Sequence, residues 1–298
     1  MPVRRLIANA LTEAGDLVST GKRRLRMRGL EAAAIERLDD RQKRAISRGA
    51  VYRFWRETMW MAPSAAELAL VPAMPLRGEA HLREALSRGK GVILLESNNF
   101  GSRIMARRIV SAHGYPLHQV HMVIHLGSGF VVRPADRNWA SAMLGRYFDK
   151  CEKEFLEEII YLPPTDSMAF TRTMLDRLQR NAIICLAGDG RYGQRLVEVP
   201  FLGVPKTFST GMMSLARSSG AAVLPLFCPA KGYSGFEAII EAPIDVEASP
   251  GRDASVKAAV AQFSDVLGRY ASKYKDQYSG WGELTKPSQT PPDGMRIS

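Results

Sequence analysis

Two stretches place polar residues where an apolar run ends. The first is ESNNFGSR, residues 96–103, directly after GVILL. Glu96 stands at the end of a strand, Asn98, Asn99 and Gly101 make a turn, and Arg103, Arg107 and Arg108 follow at helical spacing. A carboxylate at a buried strand end can serve as a base if burial raises its pKa, or it can simply pair with Arg103 or Arg107. The arginines suit a phosphate group, or else form a solvated helix face. The second stretch is GDGRYGQRLVEVPFLGVPKTFSTG, residues 188–211, after the apolar AIICLA. Its Asp189, Arg191 and Gln194 sit among turn-forming glycines and can hold polar or anionic groups, or form a solvated surface loop.

Other constellations carry less. LHQVHMVIH puts His121 and His125 on one face of a strand and His118 on the other, which reads as exposed strand-end histidines and not as a metal site. No metal-ligand set is expected. The three cysteines, Cys151, Cys185 and Cys228, are far apart and form no C-x-x-C, which fits a reducing compartment. There is no G-x-G-x-x-G and no phosphate-loop motif.

The elements that must position these residues alternate. Residues 1–62 read as helical throughout. Beyond a proline-rich passage comes a helix at 78–89, then strands at 91–96, 117–125, 159–162, 182–188, 222–228 and 236–242. Helices fall between them at 100–112, 139–156, 166–181 and 209–220, with a long final helix at 253–278. Solid apolar strands alternating with helices predict an α/β fold: a mostly parallel central sheet with helices on both faces and a helical layer at the N-terminus. In such sheets ligands bind at the carboxyl ends of the strands, where both polar stretches lie. The expected organisation is a basic helical region over 1–62, an α/β domain over 63–285 and a disordered tail over 286–298.

The net charge is +11, and residues 1–60 hold fourteen Lys/Arg against seven Asp/Glu. That excess points to an anionic partner. No nucleic-acid-binding module is recognisable, so an anionic membrane surface is the expected partner, with no nucleic acid. No apolar run approaches the roughly 18 residues a spanning helix needs, and Glu13 and Asp16 interrupt the first apolar region, so it is not read as a signal peptide.

The segments in this order resemble the late (lauroyl/myristoyl) acyltransferase family of lipid A biosynthesis, within the lysophospholipid and glycerolipid acyltransferases. RGKGVILLESNNFGSR resembles the family's strand and active-site turn, G-x-L-L-x-x-x-H-x-G-N-W-E. VVRPADRNWASAMLGRYFD resembles its arginine-containing second block. AGDGRYGQRLVEVPFLGVPKTFSTGMMSLARSSGAAVLPLF resembles the third and fourth blocks, and YASKYKDQYSGW the closing helix. The likeness spans about residues 45–282. It implies acyl transfer from acyl carrier protein or coenzyme A to a lipid hydroxyl, with a histidine as general base and a carboxylate five residues later to orient it. No cofactor is implied beyond that acyl donor.

Placed on this chain, the histidine position is Asn99 and the carboxylate position is Ile104; Gly101 keeps its place, and Arg103 replaces the tryptophan. None of His81, His113, His118, His121 and His125 is followed by a carboxylate at the required spacing. An amide cannot take a proton near neutral pH. The resemblance therefore implies an acyltransferase with an atypical site, in which Asn99 positions and Glu96 serves as base, while Arg103, Arg107, Asp189, Arg191, Gln194 and Thr207 bind substrate. The acceptor is a lipid or amphiphile, hydroxyl or amine, met peripherally at the cytoplasmic face of the inner membrane. The alternative is an inactive homologue that binds acyl chains, lipid or acyl carrier protein.

Overall fold

The computed structural model describes residues 2–122, 125–126, 130–131, 139–162, 167–190, 195–247 and 251–285. In chain order the elements are α1 (Pro2–Val18), α2 (Thr20–Ala32), α3 (Asp40–Met61), α4 (Ala65–Leu68), β1 (Leu76–Arg77), α5 (Glu79–Ser87), β2 (Val92–Glu96) and α6 (Arg103–Ala112). Then follow β3 (Leu117–Met122), β4 (His125–Leu126), β5 (Phe130–Val131), α7 (Trp139–Lys153), β6 (Glu158–Leu162), α8 (Ser167–Gln179) and β7 (Ile183–Ala187). The last are β8 (Leu196–Phe201), β9 (Val204–Ser209), α9 (Gly211–Ser219), β10 (Ala222–Phe227), β11 (Ala230–Lys231), β12 (Gly235–Phe236), β13 (Ala238–Ile240) and α10 (Arg252–Lys273).

Seven strands form the central sheet in the order β1-β13-β10-β2-β7-β3-β6, with only the β10–β13 pair antiparallel. The predicted α/β class, mostly parallel and helix-covered, is the one observed. The two sheet faces are built by alternation. Ile93, Leu95, Ile184, Leu186 and Val223 pack with α8, α9 and α10 on one side. Val92, Leu94, Ile183, Cys185 and Leu224 pack with α5, α6 and Trp60 on the other. Burial on both faces explains why these strands read as unbroken apolar runs.

Three details depart from the sequence reading. Residues 196–209, read as a loop with an apolar VPFLG, form the β8–β9 hairpin. Its turn holds both Leu202 (φ +51) and Gly203 (φ +79) in the left-handed region. That is the twist a two-residue hairpin wants, with leucine where asparagine or glycine is usual. The final helix ends at Lys273, and two 3₁₀ turns, Lys275–Gln277 and Gly280–Glu283, replace its expected last turns. The chain leaves the helix there to pair with the 98–101 turn: Ser279 N donates to Asn99 O and Gly101 N to Gln277 O, at 2.7 and 3.2 Å. The third concerns the histidines. β3 lies inside the sheet, so His121 is buried, not exposed, and His118 bonds Glu158 at 2.9 Å. The tail over 286–298 falls outside the described residues.

The edge strand β6 is tied to α8 by Glu158, which accepts from Arg177 Nε at 2.7 Å and Nη2 at 3.0 Å, and pairs with His118. The Arg177 bonds hold its carboxyl at about 2, against burial and with help from His118. A depressed carboxylate stabilises above its ordinary value of 4.5 and loses that contribution as pH falls toward about 2. Glu158→Gln is expected to lower stability by about 1 kcal/mol at pH 7, the figure discounted for solvent screening. Paired urea melts from pH 7 downward should show the gap closing below pH 4.5 and vanishing near 2; a pH-independent gap would mean the bonds, not the charge, carry the effect.

Candidate functional site

β2 and β7 run in parallel register with Glu96 beside Ala187, so the turns that follow them lie side by side. Asp189, buried just past β7, accepts from Ser97 Oγ at 2.6 Å, Asn98 N at 2.7 Å, and Asn99 N and Nδ2 at 3.2 Å each. It thus acts as a peg for the 97–99 turn. Gly101 adopts φ +61, and a Cβ there would stand 2.5 Å from Cys228 O, so the turn requires glycine for both conformation and close approach. Arg53 of α3 reaches in from the N-terminal layer and donates to Gly101 O (2.6 Å), Asn98 O (3.3 Å) and Ser279 Oγ (3.0 Å). Glu57 of the same helix accepts from Ile104 N at 3.2 Å, at the start of α6.

Asn99, in the histidine position, is half-buried and held on several sides. Its Nδ2 donates to Asp189 and, at 3.5 Å, to Glu283 Oε2; its Oδ1 accepts from Ser279 Oγ at 3.3 Å. Lys206, on the inward face of β9, completes the cluster. Its Nζ lies 2.9 Å from Tyr278 Oη and 3.6 Å from Glu283 Oε2, over the rings of Phe201 and Phe208. Burial works against its charge, but Tyr278, Asp189 and Glu283 outweigh that and push its pKa up, so it stays a cation. Burial pushes Tyr278 up to about 12. Ile104, in the carboxylate position, is fully buried in the core.

Glu96 is buried and lies between two guanidiniums, with Arg103 Nε at 2.9 Å from Oε2 and Arg107 Nε at 3.2 Å from Oε1. Buried between two guanidiniums, Glu96 has the geometry of the ion-pair alternative. Arg103 also donates to Asn98 Oδ1 at 2.8 Å, so it stiffens the turn from below. The solvated helix face is absent: Arg107 has no exposed surface and Arg108 is buried over the ring of Phe155. Burial disfavours the Arg107 charge, yet Glu96 and Glu152 raise its pKa overall. Arg107 is thus an internal charge partner with no route to a ligand. The reason is tertiary: α3 and α7 cover α6, and Arg108 donates to Met61 O and Cys151 O. Thr207 is half-buried on the face of β9 opposite Lys206. Arg191 and Gln194, and residues 132–138 of the second block, lie outside the described residues.

Among the described residues, His121, Asp149 and Glu152 are the group whose donor atoms come within 4.8 Å of one another. Glu152 already faces His121 Nε2 at 3.2 Å and Arg107 Nη1 at 3.7 Å, so its charge is met by the protein. Burial first, then Glu96, pushes the Cys185 thiol well up, and burial does the same to Cys228, so neither is an activated nucleophile. An open groove of about 870 Å³ runs between residues 34–36, the β8–β9 hairpin and α10; it shares no residue with the Asn99 cluster, so volume does not mark the site. Sequence reading missed Lys206, Tyr278, Ser279, Glu283 and Arg53. The closing YASKYKDQYSGW, which holds Tyr278 and Ser279, and the third block, which holds Lys206, were the signals that touched this group.

The mostly parallel, helix-covered sheet, with a polar turn at its carboxyl edge pegged from the neighbouring strand, is compatible with the acyltransferase type of α/β fold. Residues 159–278 match the family model of bacterial lipid A biosynthesis acyltransferases, which bears out the recognition made on the motifs. Two phosphatidylinositol mannoside acyltransferases, from Mycobacterium tuberculosis strains CDC 1551/Oshkosh and ATCC 25618/H37Rv, are each 26% identical over 187 residues, 62% of this chain and 54% of theirs. The match thus spans about half the length of those curated relatives. The family match begins beyond the 97–101 turn and so does not include Asn99 or Ile104.

Proposed function

We propose that this chain transfers a fatty acyl group from acyl carrier protein or coenzyme A to a lipid or amphiphilic acceptor, at a site rebuilt around Asn99. The family match and the acyltransferase relatives support the reaction class. The observation that carries the site is the Asn99 turn itself. On the motif resemblance it stands for the base-bearing turn, and it is held by Asp189, Ser279, Arg53 and Glu283 more firmly than a solvated loop needs. A thioester is already reactive, so positioning alone can give a useful rate. In this reading Asn99 orients the reacting groups, Arg103 and Asp189 shape the turn, and residues 1–62 and 63–285 work as one unit through Arg53 and Glu57. Arg191, Gln194 and Thr207 remain proposed substrate contacts.

The reading places the chain peripherally at the cytoplasmic face of the inner membrane. Among the described residues no helix is long and apolar enough to cross a membrane. α1 exposes Val3, Leu6, Ile7, Leu17 and Val18, α7 exposes Trp139, Met143 and Tyr147, and the N-terminal region carries an excess of basic residues. Such a mixture suits an anionic leaflet. Sedimentation with vesicles containing anionic lipid is expected to bring down the protein at low salt and release most of it at 0.5 M salt; equal binding to neutral vesicles would sink the electrostatic part.

The test of function is thioester consumption by purified protein, with acyl carrier and coenzyme A donors and a panel of hydroxyl and amine acceptors. Transfer that Asn99→Ala lowers at least tenfold supports the enzyme. The alternative, an inactive homologue that binds acyl chains, lipid or acyl carrier protein, draws on the buried Ile104 and the saturated Asn99 amide. It takes over if donor binds but turnover matches the no-protein control.

A further inference from the structure

A transferase that has lost its histidine still has to remove a proton from the attacking acceptor. The residues around Asn99 offer few proton acceptors. Glu96 is buried between Arg103 and Arg107. Asp189 spends its oxygens on Ser97, Asn98 and Asn99. Lys206 is held as a cation and Tyr278 as a neutral phenol. Cys185 is a buried thiol of β7. Glu283 differs from all of these. Its side chain keeps 34% of its surface exposed, and its Oε2 lies 3.5 Å from Asn99 Nδ2 and 3.6 Å from Lys206 Nζ.

We propose that Glu283 is the proton acceptor of this site, oriented by the Asn99 amide, and that the acceptor it serves is a primary amine on an amphiphile. This rests on the acyl-transfer reading above. The carboxylate is not carried by a loose end. Ser279 N and Gly101 N bond across to Asn99 O and Gln277 O, and Phe100 and Tyr278 form an antiparallel bridge, so the C-terminal segment is laced to the turn. Trp281 is fully buried and its indole donates to Lys275 O at 2.9 Å, which fixes the 3₁₀ turn that ends at Glu283. The 3.5 Å approach is long for a working hydrogen bond, as expected before substrate tightens a site. In the ordinary pair a carboxylate orients a histidine that takes the proton. Here an amide orients a carboxylate that takes it.

The chemistry selects the acceptor. An unprotonated amine attacks the thioester carbonyl carbon, forming a C–N bond and an oxyanion with a protonated nitrogen. A carboxylate has enough basicity to take that acidic proton, whereas an alcohol demands a stronger base to attack at all. The oxyanion then collapses, the C–S bond breaks, and the leaving thiolate recovers the proton from Glu283, giving amide and free thiol. Among the described residues, Asn99 from the turn and Lys206 from β9 face Glu283, with Asp189 and Tyr278 next to Lys206; the Lys206 cation stands where it can offset developing negative charge.

The experiment measures acyl transfer to a matched long-chain primary amine and alcohol by wild type, Glu283→Gln and Glu283→Asp, from pH 5 to 9, with a no-protein control. Thermal melts check that each variant is folded. The expected result is transfer to the amine at least tenfold faster than to the alcohol. Glu283→Gln should lower kcat at least tenfold with the donor KM unchanged; once rates are normalised to the free-amine fraction of the acceptor, the acidic limb that remains in wild type should be absent from the variant, and Glu283→Asp should restore part of the rate. Wild-type turnover that Glu283→Gln leaves within twofold, with the same pH limb, overturns the role of Glu283 alone. Preference for the alcohol overturns the acceptor class. No transfer to either acceptor overturns this inference together with the function it rests on.

Discussion

Glu96→Gln is expected to lower unfolding stability by about 3–5 kcal/mol, the usual cost of breaking a buried ion pair from one side. The carboxylate is 1% exposed, and its partners Arg103 and Arg107 are 7% and 0% exposed. The amide keeps the shape but leaves two guanidiniums in a core that cannot hydrate them. Arg107 is the costlier of the two: among the described residues Glu152, at 3.7 Å, is the carboxylate left beside it, and its Nη atoms have no hydrogen-bond acceptor. Replacing Glu96, Arg103 and Arg107 together by leucine and methionine should recover most of the loss, because apolar side chains of similar volume need no partner. Urea unfolding with an unchanged m-value is the measurement. A Glu96→Gln protein that unfolds at the wild-type midpoint yet loses turnover would return Glu96 to the role of base.

The second large effect is at Asp189. Asp189→Asn is expected to reduce acyl transfer at least a hundredfold while costing about 1–3 kcal/mol of stability, the penalty for buried donors left without an acceptor. Asp189 accepts from the Ser97 hydroxyl and from the backbone amides of Asn98 and Asn99. An asparagine offers one acceptor oxygen and an NH₂ group. That NH₂ would face amide donors, so at least one of them loses its bond and the turn opens. Lys206 also loses one of the charges that sustain it. Hydrogen exchange at the 98 and 99 amides should speed up in the variant. Unchanged exchange with normal turnover would show that Asp189 is not the peg described here.

Part of this protein is legible in its residues alone. The apolar runs at 91–96, 182–188 and 222–228 are β2, β7 and β10, side by side and parallel, because strands buried on both faces have no polar side to show. The turn at 97–101 could be placed at the carboxyl edge of the sheet for the same reason, and on the motif resemblance Asn99 and Ile104 stand where a histidine and a carboxylate are expected. The hairpin at 196–209 could not, because Leu202 hides a turn that asparagine would have announced.

The fate of the charges needed the tertiary structure. Arg103, Arg107 and Arg108 have helical spacing, and spacing says which residues share a face but not what covers it. α3 and α7 cover it here, and the three cations become internal partners of Glu96, backbone carbonyls and an aromatic ring. The same holds at the site. Asn99 and Glu283 are 184 residues apart in the chain and 3.5 Å apart in space. No local pattern can encode that approach, because it comes from the C-terminal segment leaving its helix to pair with a turn made in the first third of the chain. Composition and periodicity determined the sheet and where its polar edge lies; only the packing decided which carboxylate stands partly exposed at that edge and which is locked beneath it.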